Sequence, residues 1–179
     1  MESGAESDWE MIRTTTIRYA GANLELPFFL AESWPRGLPL ESWPTFCGAG
    51  SGLGDRIVPD CINSVRIACC CFIHDIDWCV SDNSFTDFMQ ANLRLYLNLR
   101  NVVIANDKPG WFRKMAAERK CFVYFFCVCT FGHKLFTVDP KYLTSYEDPT
   151  ENPVVKEKLH RLSRVYNGIP GFDSDGSPV

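Results

Sequence analysis

The chain is poor in histidine, with three in 179 residues, and it has no excess of positive charge: 18 Lys and Arg stand against 22 Asp and Glu, a net charge of −4. Its pI is about 5.4. A general nucleic-acid binder presents a basic surface, so the charge balance argues against that class. A local basic patch that meets a membrane is not excluded. Long hydrophobic runs are missing too. The most apolar stretch, Cys121–Phe131 (CFVYFFCVCTF), falls far short of the ~20 residues that span a bilayer. The opening, MESGAESDWEMIRTTT, is acidic and lacks the basic start and apolar segment of a signal peptide.

Cysteine, by contrast, is abundant: nine residues, at 47, 61, 69, 70, 71, 79, 121, 127 and 129. In a secreted chain such a count reads as a disulfide framework. Export by another route, a trimmed start, or mostly reduced thiols would each reconcile this with the acidic opening. An odd number leaves at least one thiol unpaired in a monomer. With 46% hydrophobic residues, the chain can bury the core of one domain with arms.

Residues 1–45 are read as an N-terminal arm. The stretch TTTIRYAGANLELPFF is compatible with two short strands around a turn at Ala20–Asn23. Glu-Ser-Trp-Pro occurs twice, at 32–35 and 41–44, and two copies do not make a repeat architecture. A glycine loop, FCGAGSGLGD, covers 46–55. Pro59 and Asp60 are expected to open a helix whose core stripe is Cys61, Val65, Ala68, Phe72 and Ile76. After a break near Val80–Ser81, a second helix is expected to start at or near Asp82. Its stripe is Phe85, Phe88 or Met89, Asn92, Leu93, Tyr96 and Leu99, and NDKPG at 106–110 ends it. A third helix is expected from Trp111 to about Phe131, with the segment Cys121–Phe131 as core. A last helix, 153–166, is capped by Asn152, begins at Pro153 and carries the stripe Val155, Leu159, Leu162, Tyr166.

Several glycine motifs fail on inspection. A dinucleotide fingerprint from Gly48 and Gly50 needs glycine at 53, which is Leu53, and no Gly-Lys-Ser/Thr follows for a phosphate loop. A nucleophile elbow centred on Ser51 fails at Ala49 and Leu53. The loop is then a connector or a backbone cage, since glycines let main-chain groups face a ligand unobstructed. Asp75 and Asp77 point to a hard cation, calcium or magnesium. An EF-hand begun at Asp75 fails at its sixth and twelfth positions, Val80 and Thr86. Cys71 lies four residues before Asp75, on the same helix face. A bond from Cys47 to Cys71 would bring the glycine loop to that face. His74 then suits general-base work, with Asp82 or Asp87 as the partner that fixes its tautomer. Cys127, Cys129 and His133 lack the second cysteine pair of a zinc finger.

FCGAG followed by CCFIHD resembles the phospholipase A2 superfamily, whose hallmarks are aromatic-Cys-Gly-x-Gly and Cys-Cys-x-x-His-Asp. The form GAGSGLGDRIVPD with HDIDW is most similar to the short branch found in phages, bacteria and fungi. The resemblance covers roughly residues 46–99 well and 111–136 loosely. It implies a mainly α fold: two antiparallel core helices carrying the His-Asp site, preceded by a glycine-rich calcium loop, with a third apolar helix and irregular N- and C-terminal arms. Residues 46–138 would form the catalytic domain and 139–179 a C-terminal extension with one helix.

Carried over by residue, the resemblance makes His74 the general base and Asp75 the carboxylate ligand of Ca²⁺. Phe46, Gly48 and Gly50 would supply main-chain carbonyls to the ion, and the Gly48 amide would help hold the oxyanion. Asp82 would support His74, with Asp87 in reserve, and Cys47 would pair with Cys71. The implied activity is hydrolysis of the sn-2 ester of glycerophospholipids at a bilayer or micelle surface. The implied setting is secretion or delivery by a phage to its host rather than residence in the cytoplasm. Departures stand at Asp77, where the family has cysteine, and at Trp78, where it has tyrosine. They leave room for an inactive module of the same scaffold, used for binding or in a virion or secretion assembly. The segment WFRKMAAERK at 111–120 mixes Trp111 and Phe112 with Arg113, Lys114, Arg119 and Lys120, a composition suited to an anionic interface or to a solvated helix start.

Overall fold

The computed structural model describes residues 13–47, 59–81, 84–133 and 148–166. Gly48, Gly50 and Asp82 lie outside the described residues. Within them the chain is mainly helical, with two small antiparallel sheets.

The strands β1 (Thr14–Tyr19) and β2 (Ala22–Pro27) pair in register from Thr14↔Pro27 to Tyr19↔Ala22. The turn is Ala20–Gly21, both at positive φ (46° and 76°), the two-residue geometry that follows the twist of a hairpin. The two expected strands are present, so this segment is not the irregular arm that the resemblance implies. Leu24 and Leu26 are fully buried and share one core with the helices. The two Glu-Ser-Trp-Pro copies have a packing role: Trp34 and Trp43 are buried with ring centroids 5.2 Å apart. Trp43 donates from Nε1 to Tyr19 Oη at 2.6 Å, and Tyr19 Oη donates in turn to the Leu38 carbonyl. Phe72 meets both Trp43 (5.5 Å) and Phe46 (5.0 Å), which locks the entry to the glycine loop onto a helix.

The helix expected from Pro59 does not begin there. Residues 61–66 form a second small hairpin, β3 (Cys61–Ile62) and β4 (Val65–Arg66). Asn63 and Ser64 make its turn at φ 52° and 74°. Asparagine tolerates that left-handed backbone, and the two-residue turn chemistry outweighs the helical spacing of Cys61 and Val65. Helix α1 is Ala68–Val80. Helix α2 is Phe85–Asn106, capped by Ser84, whose hydroxyl accepts from the Asp87 N–H at 3.0 Å. Its buried face is rotated from the expected stripe: Phe88, Asn92, Leu95, Leu99 and Val102 face inward, whereas Phe85 and Leu93 are exposed.

Helix α3 spans Trp111–Phe131, as expected, but its second half is core on one face only. Phe122, Val123, Phe126 and Phe131 are all exposed, while Ala117, Cys121 and Tyr124 are buried. Helix α4 is Pro153–Tyr166, and the Asn152 side chain accepts from the Val154 N–H at 3.0 Å. Val155 and Leu162 are buried and Leu159 packs beside them; the fourth stripe residue, Tyr166, has a side chain outside the described set. No helix among the described residues is long and apolar enough to cross a membrane.

Candidate functional site

Cys47 and Cys71 form a disulfide with Cα atoms 5.3 Å apart. It fixes the Phe46–Cys47 main chain beside α1, one turn ahead of Asp75. The remaining cysteines are free thiols; Cys69, Cys70 and Cys121 are buried. Burial pushes the Cys79 and Cys121 thiols up to about 11, which makes them poor nucleophiles at neutral pH.

Phe46, Cys47, Cys71, His74, Asp75 and Trp78 border one open cavity of about 1120 Å³. Its other wall is α3, where Phe112, Met115, Val123 and Phe131 present apolar surface, and Arg119 and Lys120 add charge. His74 is buried but faces this space. The Trp78 ring lies against the imidazole, with centroids 4.3 Å apart. The group on the histidine's far side is one that sequence reasoning missed. His74 Nε2 is 2.8 Å from Asn92 Oδ1, so Nε2–H donates and Nδ1 keeps its lone pair. The Asn92 amide nitrogen donates in turn to Cys129 Sγ at 3.6 Å. Asn92 is fully buried, and a polar residue in the apolar face of α2 was the signal available. Asp87, the reserve partner, lies in the first turn of α2, about one and a half turns upstream.

Asp75 is about a quarter exposed, and both its oxygens face charge-bearing groups. Oδ1 is 3.8 Å from His74 Nδ1, and Oδ2 is 2.7 Å from Lys158 Nζ on α4. Burial pushes its carboxyl up, but the Lys158 ammonium and the histidine together outweigh that and leave it below the usual range. The carboxylate thus remains ionised and already holds a cationic group, so its chemistry fits a hard cation. Asp77 points elsewhere. It is buried against Arg94, with Nη1 2.6 Å from Oδ1, and Arg94 also reaches Glu25 on β2. Burial raises its carboxyl to about 6, against the pull of Arg94. Asp77 therefore joins α1 to α2 and is not a second ligand beside Asp75.

Among the described residues no group of three or more His, Cys, Asp or Glu side chains is placed to hold a metal ion, so Cys127, Cys129 and His133 do not assemble a zinc site. A cation held by one carboxylate and main-chain oxygens is a different kind of site. Comparison of the chain with protein-family models, with curated proteins and with solved structures returns no match.

Proposed function

We propose that the protein is a calcium-dependent hydrolase of the phospholipase A2 type, cleaving the sn-2 ester of glycerophospholipids. The observation that carries this reading is the joining of two sequence motifs at one cavity. The Cys47–Cys71 bond holds the start of the glycine loop at the helix that bears His74 and Asp75, and the cavity before them has an apolar wall.

The chemistry follows from the chain's own groups. Asn92 fixes the imidazole with its proton on Nε2, which leaves Nδ1 able to take a proton from water. The resulting hydroxide adds to the ester carbonyl. Collapse of the adduct breaks the bond to the glycerol oxygen, which takes the proton back from His74. The products are a fatty acid and a lysophospholipid. Trp78 closes one face of the imidazole and limits water there. Calcium would be held by Asp75 with the carbonyls of Phe46, Gly48 and Gly50, and when bound it supplies Lewis acidity toward the phosphate and the ester oxygen. The Gly48 amide would share the oxyanion, and the apolar wall of α3 would take acyl chains.

One observation favours the second reading, an inactive binding or assembly module of the same scaffold. The partner of His74 is a neutral amide, which orients the ring but does not neutralise the imidazolium formed on proton transfer. Fatty-acid release from mixed phospholipid vesicles, with calcium and then with chelator, decides between them. His74→Ala should lower turnover by at least about 10³-fold while circular dichroism stays unchanged. Undiminished release by purified His74→Ala, or full release in chelator, would reject the enzymatic reading.

A further inference from the structure

The cation on Asp75 is supplied from the far end of the chain. Lys158 Nζ sits 2.7 Å from Asp75 Oδ2, and the Lys158 side chain is only 17% exposed. Its helix is seated on α1 by other contacts. Val155 and Leu162 are buried, and Asn152, the cap of α4, donates from Nδ2 to the Cys79 carbonyl at 3.2 Å. Those contacts lie on both sides of Lys158 in sequence, so the ammonium is aimed at Asp75 by packing rather than drawn there from a loose tail. The other ion pairs of the region, Lys156–Glu151 and Arg161–Glu157, are solvent-exposed and local in sequence. Among the ion pairs of the described residues on α4, the Lys158–Asp75 pair alone reaches across to the candidate site.

An ammonium and a divalent ion need the same carboxylate lone pairs. Resting on the calcium-site reading above, we propose that α4 is an internal latch: Lys158 occupies the cation's place on Asp75, and calcium binds there only by displacing it. Calcium affinity is then reduced by the stability of the closed pair, and calcium binding loosens α4 from α1. The same contact makes the C-terminal helix a regulator of the site, because anything that draws α4 away raises calcium affinity by the same factor.

Calcium titration calorimetry on the full chain tests this, comparing wild type with Lys158→Met, which keeps the aliphatic stem, and with Lys158→Gln. Both variants should bind calcium about tenfold more tightly. Amide hydrogen exchange over 153–164 should quicken when calcium is added to the wild type and respond less in Lys158→Met. Calcium binding by the variants alone would also support the latch. If both variants bind calcium as the wild type does, while Asp75→Asn loses binding, the latch is wrong and the calcium site stands. If neither wild type nor any Lys158 variant binds calcium at millimolar concentration, the calcium-site reading falls and the latch with it.

Discussion

If the protein is the hydrolase proposed above, Asn92 decides what His74 can do, because it holds the imidazole at 2.8 Å. A carboxylate in its place would both orient the ring and offset the positive charge that proton abstraction creates, whereas an amide only orients it. Asn92→Ala should therefore lower kcat by roughly 10²-fold with a smaller effect on KM, because a ring free to turn spends little time in the reactive pose. Asn92→Asp should raise kcat, or at least retain it, since the new oxygen keeps the contact and adds charge. Steady-state kinetics on the two variants checks both directions; equal losses in both would mean that Asn92 fills space rather than holding a proton. The residue was visible in the sequence as an apolar-stripe member, but spacing cannot say which polar group a helix turns toward a distant histidine. The Lys158–Asp75 contact was beyond sequence reasoning for the same cause: 83 positions separate the partners, and no local pattern links them.

Among the elements, those with strong boundaries were legible. Trp111–Phe131 and Pro153–Tyr166 follow their start signals, and the disulfide joins the cysteines that the resemblance implies. Where two short-range rules competed, spacing misled. Cys61 and Val65 sit at a helical interval, yet the Asn63–Ser64 turn puts them on opposite strands of a two-stranded ribbon, Cys61 opposite Arg66 and Val65 opposite Ile62. The face of α2 was also misjudged, because its asparagines are structural. Asn98 accepts from the Glu25 N–H at 2.8 Å and donates to the Glu25 carbonyl at 2.7 Å, while Asn101 and Asn106 donate to the carbonyls of Asn23 and Ala20. A helix thus covers the open edge of β2, where unpaired backbone would otherwise invite another strand. Asn98 is fully buried, so its loss strands a donor and an acceptor. Asn98→Ala should destabilise the protein by about 3 kcal/mol, read from urea denaturation, since each unsatisfied buried group costs about 1–3 kcal/mol. A loss under about 0.5 kcal/mol would show that water re-satisfies the edge.

For the whole molecule, the distribution of apolar surface is the fact that composition could not convey. The hairpin, the tryptophan cluster and helices α1, α2 and α4 close a core on one side of α3, and the helix leaves Trp111, Phe112, Met115, Phe122, Phe126 and Phe131 in solvent. Phe112, Met115 and Phe131 border the cavity in front of His74, so the exposed face and the candidate site open in the same direction. A contiguous apolar face beside a cavity is the mark of a surface that meets lipid or a partner. Two of the basic residues there are tied down: Arg113 to Asp107 at 2.6 Å, which fixes the start of α3 to the C-terminal end of α2, and Lys120 to Asn63 at 2.6 Å, which ties the middle of α3 to the β3–β4 turn. If the protein works at a lipid surface, as proposed above, the exposed aromatic pair Trp111–Phe112, with centroids 4.6 Å apart, is the part that would enter it, because the helix beneath it is anchored. Replacing both rings with alanine removes side chains that the core does not use, so the melting temperature should barely move. Sedimentation with anionic vesicles should nevertheless fall at least about tenfold, since burying one such ring in an apolar layer contributes about 1.5–3 kcal/mol. On the hydrolase reading, a dispersed short-chain substrate should keep its kcat, because neither ring touches His74, while KM rises because Phe112 borders the cavity that would take the acyl chain. Vesicle binding that survives the double substitution would assign the docking surface to another part of the molecule.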